Sequence, residues 1–262
     1  MKEFFGFGGY TREPEGYMSW QHLVFVTSLI VIMAALAVTL GRRNRYRTEK
    51  EKNVALIWAA VLIDAFEIFK IVIMIARSGE VGSTLLHNLP LFLCSIQLIT
   101  IPLAAFSRGR VREAALDFVF IFGLLGAVLG TYGAGQNYAA YPVLSLDNVV
   151  SGITHTISGF ASLYVAFSGM IRMQKKNMWI TFSILGAFSA MALIADLLTR
   201  GTDSELNYMF LMRGDGTPYD ILYNLVGGNP VIYPIGVIAL FLLYISIFYL
   251  VHSLICRARE AK

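Results

Sequence analysis

Residues 85–106 read LLHNLPLFLCSIQLITIPLAAF, and the reading of this stretch decides the fold. It is long and apolar enough to cross a bilayer as a helix. It also carries His87, Asn88, Cys94, Gln97 and two prolines, which a lipid-facing helix does not tolerate. Each of these groups needs a partner inside the protein, so the helix belongs within a bundle. Cys94 has two readings here: a small buried packing residue, or a group that reacts.

Working outward, the composition bounds the class. Hydrophobic residues make up 56% of the chain, charged residues 15%, and the mean hydropathy is +0.64. A soluble globular chain carries more charge than that. The expectation is an all-α membrane protein, a single seven-helix domain over residues 1–262. The spans fall at about 20–40, 53–76, 85–106, 114–134, 150–171, 178–200 and 231–255. The formal charge of +4 does not mark a nucleic-acid binder, because the basic residues sit between spans and report orientation instead. Residues 1–18 are slightly acidic and the run after them is of full span length, so the first helix is read as retained rather than cleaved.

Several spans carry candidate chemistry. The second holds Asp64, Glu67 and Lys70 at steps of three, on neighbouring turns of one face. Glu67 and Lys70 pair locally, either as a structural ion pair or as the polar wall of a site. In the fourth span Gly126 and Gly130 form a small-xxx-small pair, read as a close helix approach. The fifth holds His155 between Thr154 and Thr156, as an interhelical hydrogen-bonding residue or a functional one. Asp196 lies near the end of the sixth. Residues 201–230 mix aromatics with turn residues, too apolar for a plain solvent loop. They are read as an external loop or lid, with 207–225 folding back over the mouth of a cavity.

Charge orients these spans. The segments after spans one, three and five and the C-terminal tail carry 6, 3, 3 and 3 Lys or Arg, whereas the N-terminus and the other loops carry 2, 1, 0 and 2. The N-terminus is therefore expected outside and the C-terminus in the cytoplasm. That orientation puts Glu67, Lys70, His87, Cys94, His155 and Asp196 at depths that agree to within roughly 10 Å, as an outward-opening cavity would require, while depth alone leaves open whether they face one another. Cys94 and Cys256 fall roughly 20 Å or more apart, too far for a disulfide.

The segment LPLFLCSIQ at 89–97, His155, and NYMFL at 207–211 occur in an order that resembles the YwaF-type family of bacterial integral membrane proteins. With seven spans and an aromatic last helix, the resemblance covers nearly the whole chain. An animal relative of that family is an acyltransferase that moves fatty acyl chains between phospholipids. The resemblance implies a working cysteine and histidine, which map to Cys94 and His155, and a bacterial plasma membrane. Many bacterial members carry a histidine two residues before the cysteine; this chain has Phe92 there and His87 further upstream.

Two classes of function stand. One is a membrane-embedded lipid acyltransferase or lipid-ester hydrolase with Cys94 as nucleophile and His155 as base. Glu67, Lys70, His87, Asn88, Gln97, Asp196, Asn207 and Tyr208 then line the substrate site, and a phospholipid or lysolipid is the partner. The other is a non-catalytic transporter, sensor or receptor that uses the intramembrane charges. No cofactor is expected. A metal is disfavoured for want of an HExxH-type spacing, and retinal because the last span lacks a lysine.

Overall fold

The computed structural model describes residues 2–202 and 205–260, and among these it holds helices and turns but no strand. The helices are α1 (Lys2–Phe5), α2 (Trp20–Asn44), α3 (Glu49–Ser78), α4 (Val81–His87), α5 (Gln97–Phe106) and α6 (Gly109–Leu129). They continue with α7 (Gly135–Ala140), α8 (Leu146–Phe167), α9 (Lys175–Thr199), α10 (Tyr219–Leu225) and α11 (Ile232–Glu260). A 3-10 turn, Tyr208–Phe210, lies between α9 and α10.

Helix ends follow local chemistry. Ser19, Thr48 and Ser145 each accept a backbone N–H of the first turn they cap, and Thr48 with Glu51 completes a reciprocal capping box. Gly79 ends α3 in the left-handed region, at φ 74°, where its N–H reaches the Ile75 carbonyl. Asn229 Oδ1 accepts the Val231 and Ile232 N–H groups at the start of α11.

Among the described residues four helices are long and apolar enough to cross a membrane: α2, α8, α9 and α11. At 30 residues α3 has ample length, but Asp64, Glu67 and Lys70 interrupt its middle. The stretch at 85–106 is not one spanning helix. It breaks into α4 and α5, with residues 88–96 unwound between them. Pro90 has no N–H to give the preceding turn, and Ser95 closes a tight local turn by accepting from the Phe92 N–H and donating to the Phe92 carbonyl. Unwound backbone at membrane depth survives only where protein surrounds it.

The centre of the bundle is α8. Half of its apolar window is buried, against 17% for α2. It packs on α2, α3 and α6, and its hydroxyls hydrogen-bond backbone that α6 presents: Ser162 Oγ to the Phe120 carbonyl at 2.8 Å and Ser158 Oγ to Gly123 at 3.3 Å. One apolar core, rich in alanine, joins α2, α3, α5, α6 and α8 around Ala60, Ala104, Leu116 and Tyr164. A second, rich in aromatics, joins α6, α9, α11 and the 3-10 turn around Phe118, Phe122, Tyr208 and Tyr249. Asp117 is fully buried at the second core and accepts from the Met173 N–H and the Tyr249 hydroxyl. That satisfies a carboxylate the apolar pattern of α6 conceals.

The two ends of the bundle differ. The segments 41–53, 105–113 and 172–177 meet at one end, through Arg110 to the Lys176 carbonyl, Arg112 to Glu49 and Asn53 to the Ala105 carbonyl. At the other end the N-terminal segment folds back as a cap. Arg77 binds Asp147 with both guanidinium nitrogens, and the Tyr10 hydroxyl donates to the same carboxylate. Glu15 accepts the Val143 N–H, and the Tyr17 hydroxyl donates to the Tyr132 carbonyl. Burial, with the hydrogen bond to Asp147 beside it, pushes the Tyr10 hydroxyl from 10.0 up to about 12. Between those values the unfolded chain releases a proton the cap retains, so stability falls as pH rises. The cap should therefore loosen over pH 10–12 in wild type. Limited proteolysis at the N-terminus reads this out. A Tyr10→Phe variant with the same alkaline loosening would count against it.

Candidate functional site

Polar groups collect in a cavity of about 260 Å3 between α3, the unwound 88–96 segment, α7 and α8. Glu67, Lys70, His87, Asn88, Cys94 and His155 all line it. Six groups spread over 89 positions of sequence thus share one space, the arrangement the depth argument left open. Phe92, Ser95, Asn137, Ser151 and Thr154 complete the polar and aromatic lining.

The Cys94–His155 pair is built from three local features. The break at Pro90 frees the chain from helical register and carries Cys94 to the wall of α6 and α8. There Cys94 Cβ lies 3.4 Å from where a β-carbon on Gly126 would stand. His155 Nδ1 lies 2.7 Å from the Ser151 carbonyl one turn back on α8. A carbonyl only accepts, so Nδ1 carries the proton and the neutral ring presents Nε2 as a bare acceptor. Cys94 lines the same cavity beside the ring, near enough for the thiol and the imidazole to interact. Finally, Gly130 leaves the space the ring occupies: a β-carbon there would sit 2.0 Å from Nε2. The Gly126/Gly130 spacing thus serves the site, with Gly126 against the cysteine and Gly130 against the histidine.

Opposite the pair, Lys70 Nζ and Glu67 Oε1 are 2.6 Å apart, each side chain about 15% exposed. Two desolvated charges support each other, and either alone is a liability. Lys70→Met should therefore cost about 3 kcal/mol, and Glu67→Gln/Lys70→Met clearly less. Denaturation of both variants in detergent compares them; equal losses would mean the pair is not coupled.

Other expected site residues stand elsewhere, each for a physical reason. Gln97 is fully buried beside the cavity, where its Oε1 accepts from the Thr100 hydroxyl. Asp196 is buried in the aromatic core, with Oδ1 on the Tyr208 N–H at 2.8 Å. Asn207 is a turn residue: it accepts the Met212 N–H and donates to the Arg213 carbonyl and to Asp215. Tyr208 is buried behind the cavity wall, its ring edge-on to Phe92 at 4.8 Å. Of the 201–230 segment, residues 203 and 204 lie outside the described residues, and none of the rest lines the cavity. Its Tyr208 and Phe210 rings pack against Phe92, and α10 packs on α11. His87 and Asn88 line the cavity and also cap α4, through His87 Nδ1 to the Ser83 carbonyl and Asn88 Nδ2 to the Thr84 carbonyl.

Sequence reasoning passed over Ser151, whose place four residues before His155 on one helix was the available signal. Asn137 had none, because it reaches the cavity on the short α7. Among the described residues no group of three or more His, Cys, Asp or Glu is placed to hold a metal.

Apolar helices long enough to span, one of which forms a wall of a polar cavity, mark an integral membrane protein. The TMEM164 family model matches residues 17–249, and the chain belongs to that family, a membrane protein family. No curated protein and no solved structure matches the chain.

Proposed function

We propose that the protein is a membrane-embedded lipid acyltransferase or lipid-ester hydrolase, with Cys94 as nucleophile and His155 as general base. The observation that carries this reading is that Cys94 and His155 line one polar cavity together, with His155 Nδ1 committed to the Ser151 carbonyl. A thiol enclosed by apolar groups is inert unless a neighbour takes its proton, and a neutral imidazole with Nε2 free does that.

The steps balance. His155 Nε2 takes the thiol proton as Cys94 Sγ attacks the ester carbonyl carbon of a phospholipid. The ester bond breaks, the departing lysolipid alkoxide takes the proton from the imidazolium, and the acyl group remains as a thioester. A second lysolipid hydroxyl, or water, gives its proton to Nε2 and attacks the thioester. The thiolate leaves and recovers the proton. Glu67 and Lys70, across the cavity, offer both charge signs to a polar headgroup.

This reading includes seven passes: α2, α3, the broken α4–α5 pair, α6, α8, α9 and α11. The N-terminus lies outside, and the membrane is a bacterial plasma membrane. Its support is the meeting of the basic loops at one end and the N-terminal cap at the other. The resemblance to YwaF-type proteins and their acyltransferase relative points the same way.

The test uses purified protein in mixed phospholipid and lysolipid, following acyl exchange and free fatty acid together. Turnover of either kind by wild type is expected. Folded wild-type protein that moves no acyl chain would sink the proposal.

A further inference from the structure

The unwound segment that carries Cys94 has a backbone debt, settled from far away in sequence. In a continuous helix the Leu86 carbonyl would accept from the N–H of residue 90, and Pro90 has none. The carbonyls around it find local donors: Asn88 Nδ2 for Thr84 and the Asn88 N–H for Leu85. For Leu86 the donor is the Tyr208 hydroxyl, 122 residues away. The same tyrosine meets the far side of the break, since its ring packs edge-on against Phe92, a wall of the cavity two residues before Cys94. Tyr208 therefore grips the chain on both sides of Pro90.

Tyr208 is itself held firmly. It is fully buried, and its N–H donates to Asp196 Oδ1 on α9 at 2.8 Å. The two residues after it adopt left-handed backbone without being glycine, Met209 at φ 52° and Phe210 at φ 59°. Such backbone persists only where its surroundings fix it. Here the Phe210 N–H donates to the Asn207 carbonyl, and the Asn207 side chain accepts the Met212 N–H. Strain spent on presenting one hydroxyl and one ring edge implies that their placement matters.

We propose that Tyr208 is a positioning residue for the Cys94 thiol: it replaces the hydrogen bond that Pro90 deletes and so fixes the unwound segment with Sγ on His155. This rests on the Cys/His reading above but is tested without acyl transfer. The protein is the full chain in detergent with Cys256→Ser, which leaves Cys94 as the one thiol. Two readouts are compared between this background and its Tyr208→Phe variant, which keeps the ring and loses the hydroxyl. One is hydrogen exchange of the amides in 88–96. The other is the rate and pH profile of Cys94 alkylation by iodoacetamide, with His155→Ala as the reference for a thiol that has lost its base.

Tyr208→Phe is expected to speed exchange selectively in 88–96, to slow alkylation near neutral pH about tenfold, and to move the pH profile to that of His155→Ala. Unchanged exchange overturns the proposal. So does faster exchange with an unchanged alkylation profile, because the bond would then serve the fold alone. If Tyr208→Phe does not fold, Pro90→Ala is added to return an N–H for Leu86. An alkylation profile restored in that double variant to that of the background supports the proposal; failure to fold, or a profile like that of His155→Ala, overturns it. Acyl transfer absent from wild type, with these shifts present, would refute the reaction class and leave the positioning role standing.

Discussion

On the proposed mechanism, Cys94→Ala is expected to abolish acyl transfer and His155→Ala to lower it about a thousandfold, with the bundle still folded. The first removes the only atom that forms the covalent intermediate. The second leaves the thiol without the group that takes its proton, and general-base catalysis is worth roughly 10^2- to 10^4-fold. Neither change should cost much stability. The cysteine is small and half-buried, and the histidine's one backbone partner, the Ser151 carbonyl, is four residues back on its own helix. The double variant is the sharper measurement. Groups that act as one unit are far from additive, so Cys94→Ala/His155→Ala should be no worse than Cys94→Ala alone. Any residual rate of Cys94→Ala that the double variant lowers about a thousandfold further would mean that the two residues serve separate steps. Cys94→Ala at full activity would mean another nucleophile.

The sequence made the membrane class and the candidate pair legible for different reasons. Length and hydropathy mark α2, α8, α9 and α11 directly, because a bilayer imposes the same demand on each. Cys94 and His155 were conspicuous as intramembrane polar groups of similar depth, and the resemblance to a family with a working cysteine and histidine is what joined them as a pair. Depth has no azimuth, however. Asp196 shares the expected depth with His155 yet packs in the aromatic core on the Tyr208 N–H. The break at 88–96 was partly written in the chain as Pro90, but Pro102 sits inside α5 without ending it. What distinguishes the two is a tertiary contact added to a local one: the distant Tyr208 hydroxyl, with the Ser95 turn, stabilises an unwound backbone at Pro90. Asp117 escaped notice among the apolar residues of α6, because its partners Met173 and Tyr249 come from distant segments. The N-terminal cap was illegible for the same reason, since Tyr10 and Arg77 converge on an aspartate more than sixty residues beyond either.

Three glycines on one face of α6 should give three different results on replacement by alanine, and the differences separate packing from chemistry. A β-carbon on Gly126 meets Cys94 Cβ at 3.4 Å, an ordinary if tight contact. The better helix propensity of alanine, up to about 1 kcal/mol, offsets that crowding, so Gly126→Ala should be close to neutral. At Gly123 the β-carbon would stand 2.7 Å from the Ser158 carbonyl oxygen, which belongs to the backbone of α8 and cannot rotate away. The two helices must part, and Gly123→Ala should lose about 1–3 kcal/mol of stability through overpacking. Gly130 is the third case and the largest effect. Its φ of −76° is open to any residue, so no backbone demand requires glycine there. The demand is space: the added carbon would fall 1.8 Å from His155 Cδ2 and 2.0 Å from Nε2. The ring is a movable side chain, so the clash resolves by displacing it from the Ser151 carbonyl and from the thiol rather than by parting the helices. Gly130→Ala should therefore melt near wild type and lose about a hundredfold in acyl transfer, because a base moved by an ångström no longer reaches its proton. Thermal unfolding and initial rates on the three variants make the comparison. Equal losses of activity at Gly126 and Gly130 would mean that this face only brings helices together; a loss confined to Gly130, with the fold intact, would mean that this glycine holds open the seat of the catalytic base.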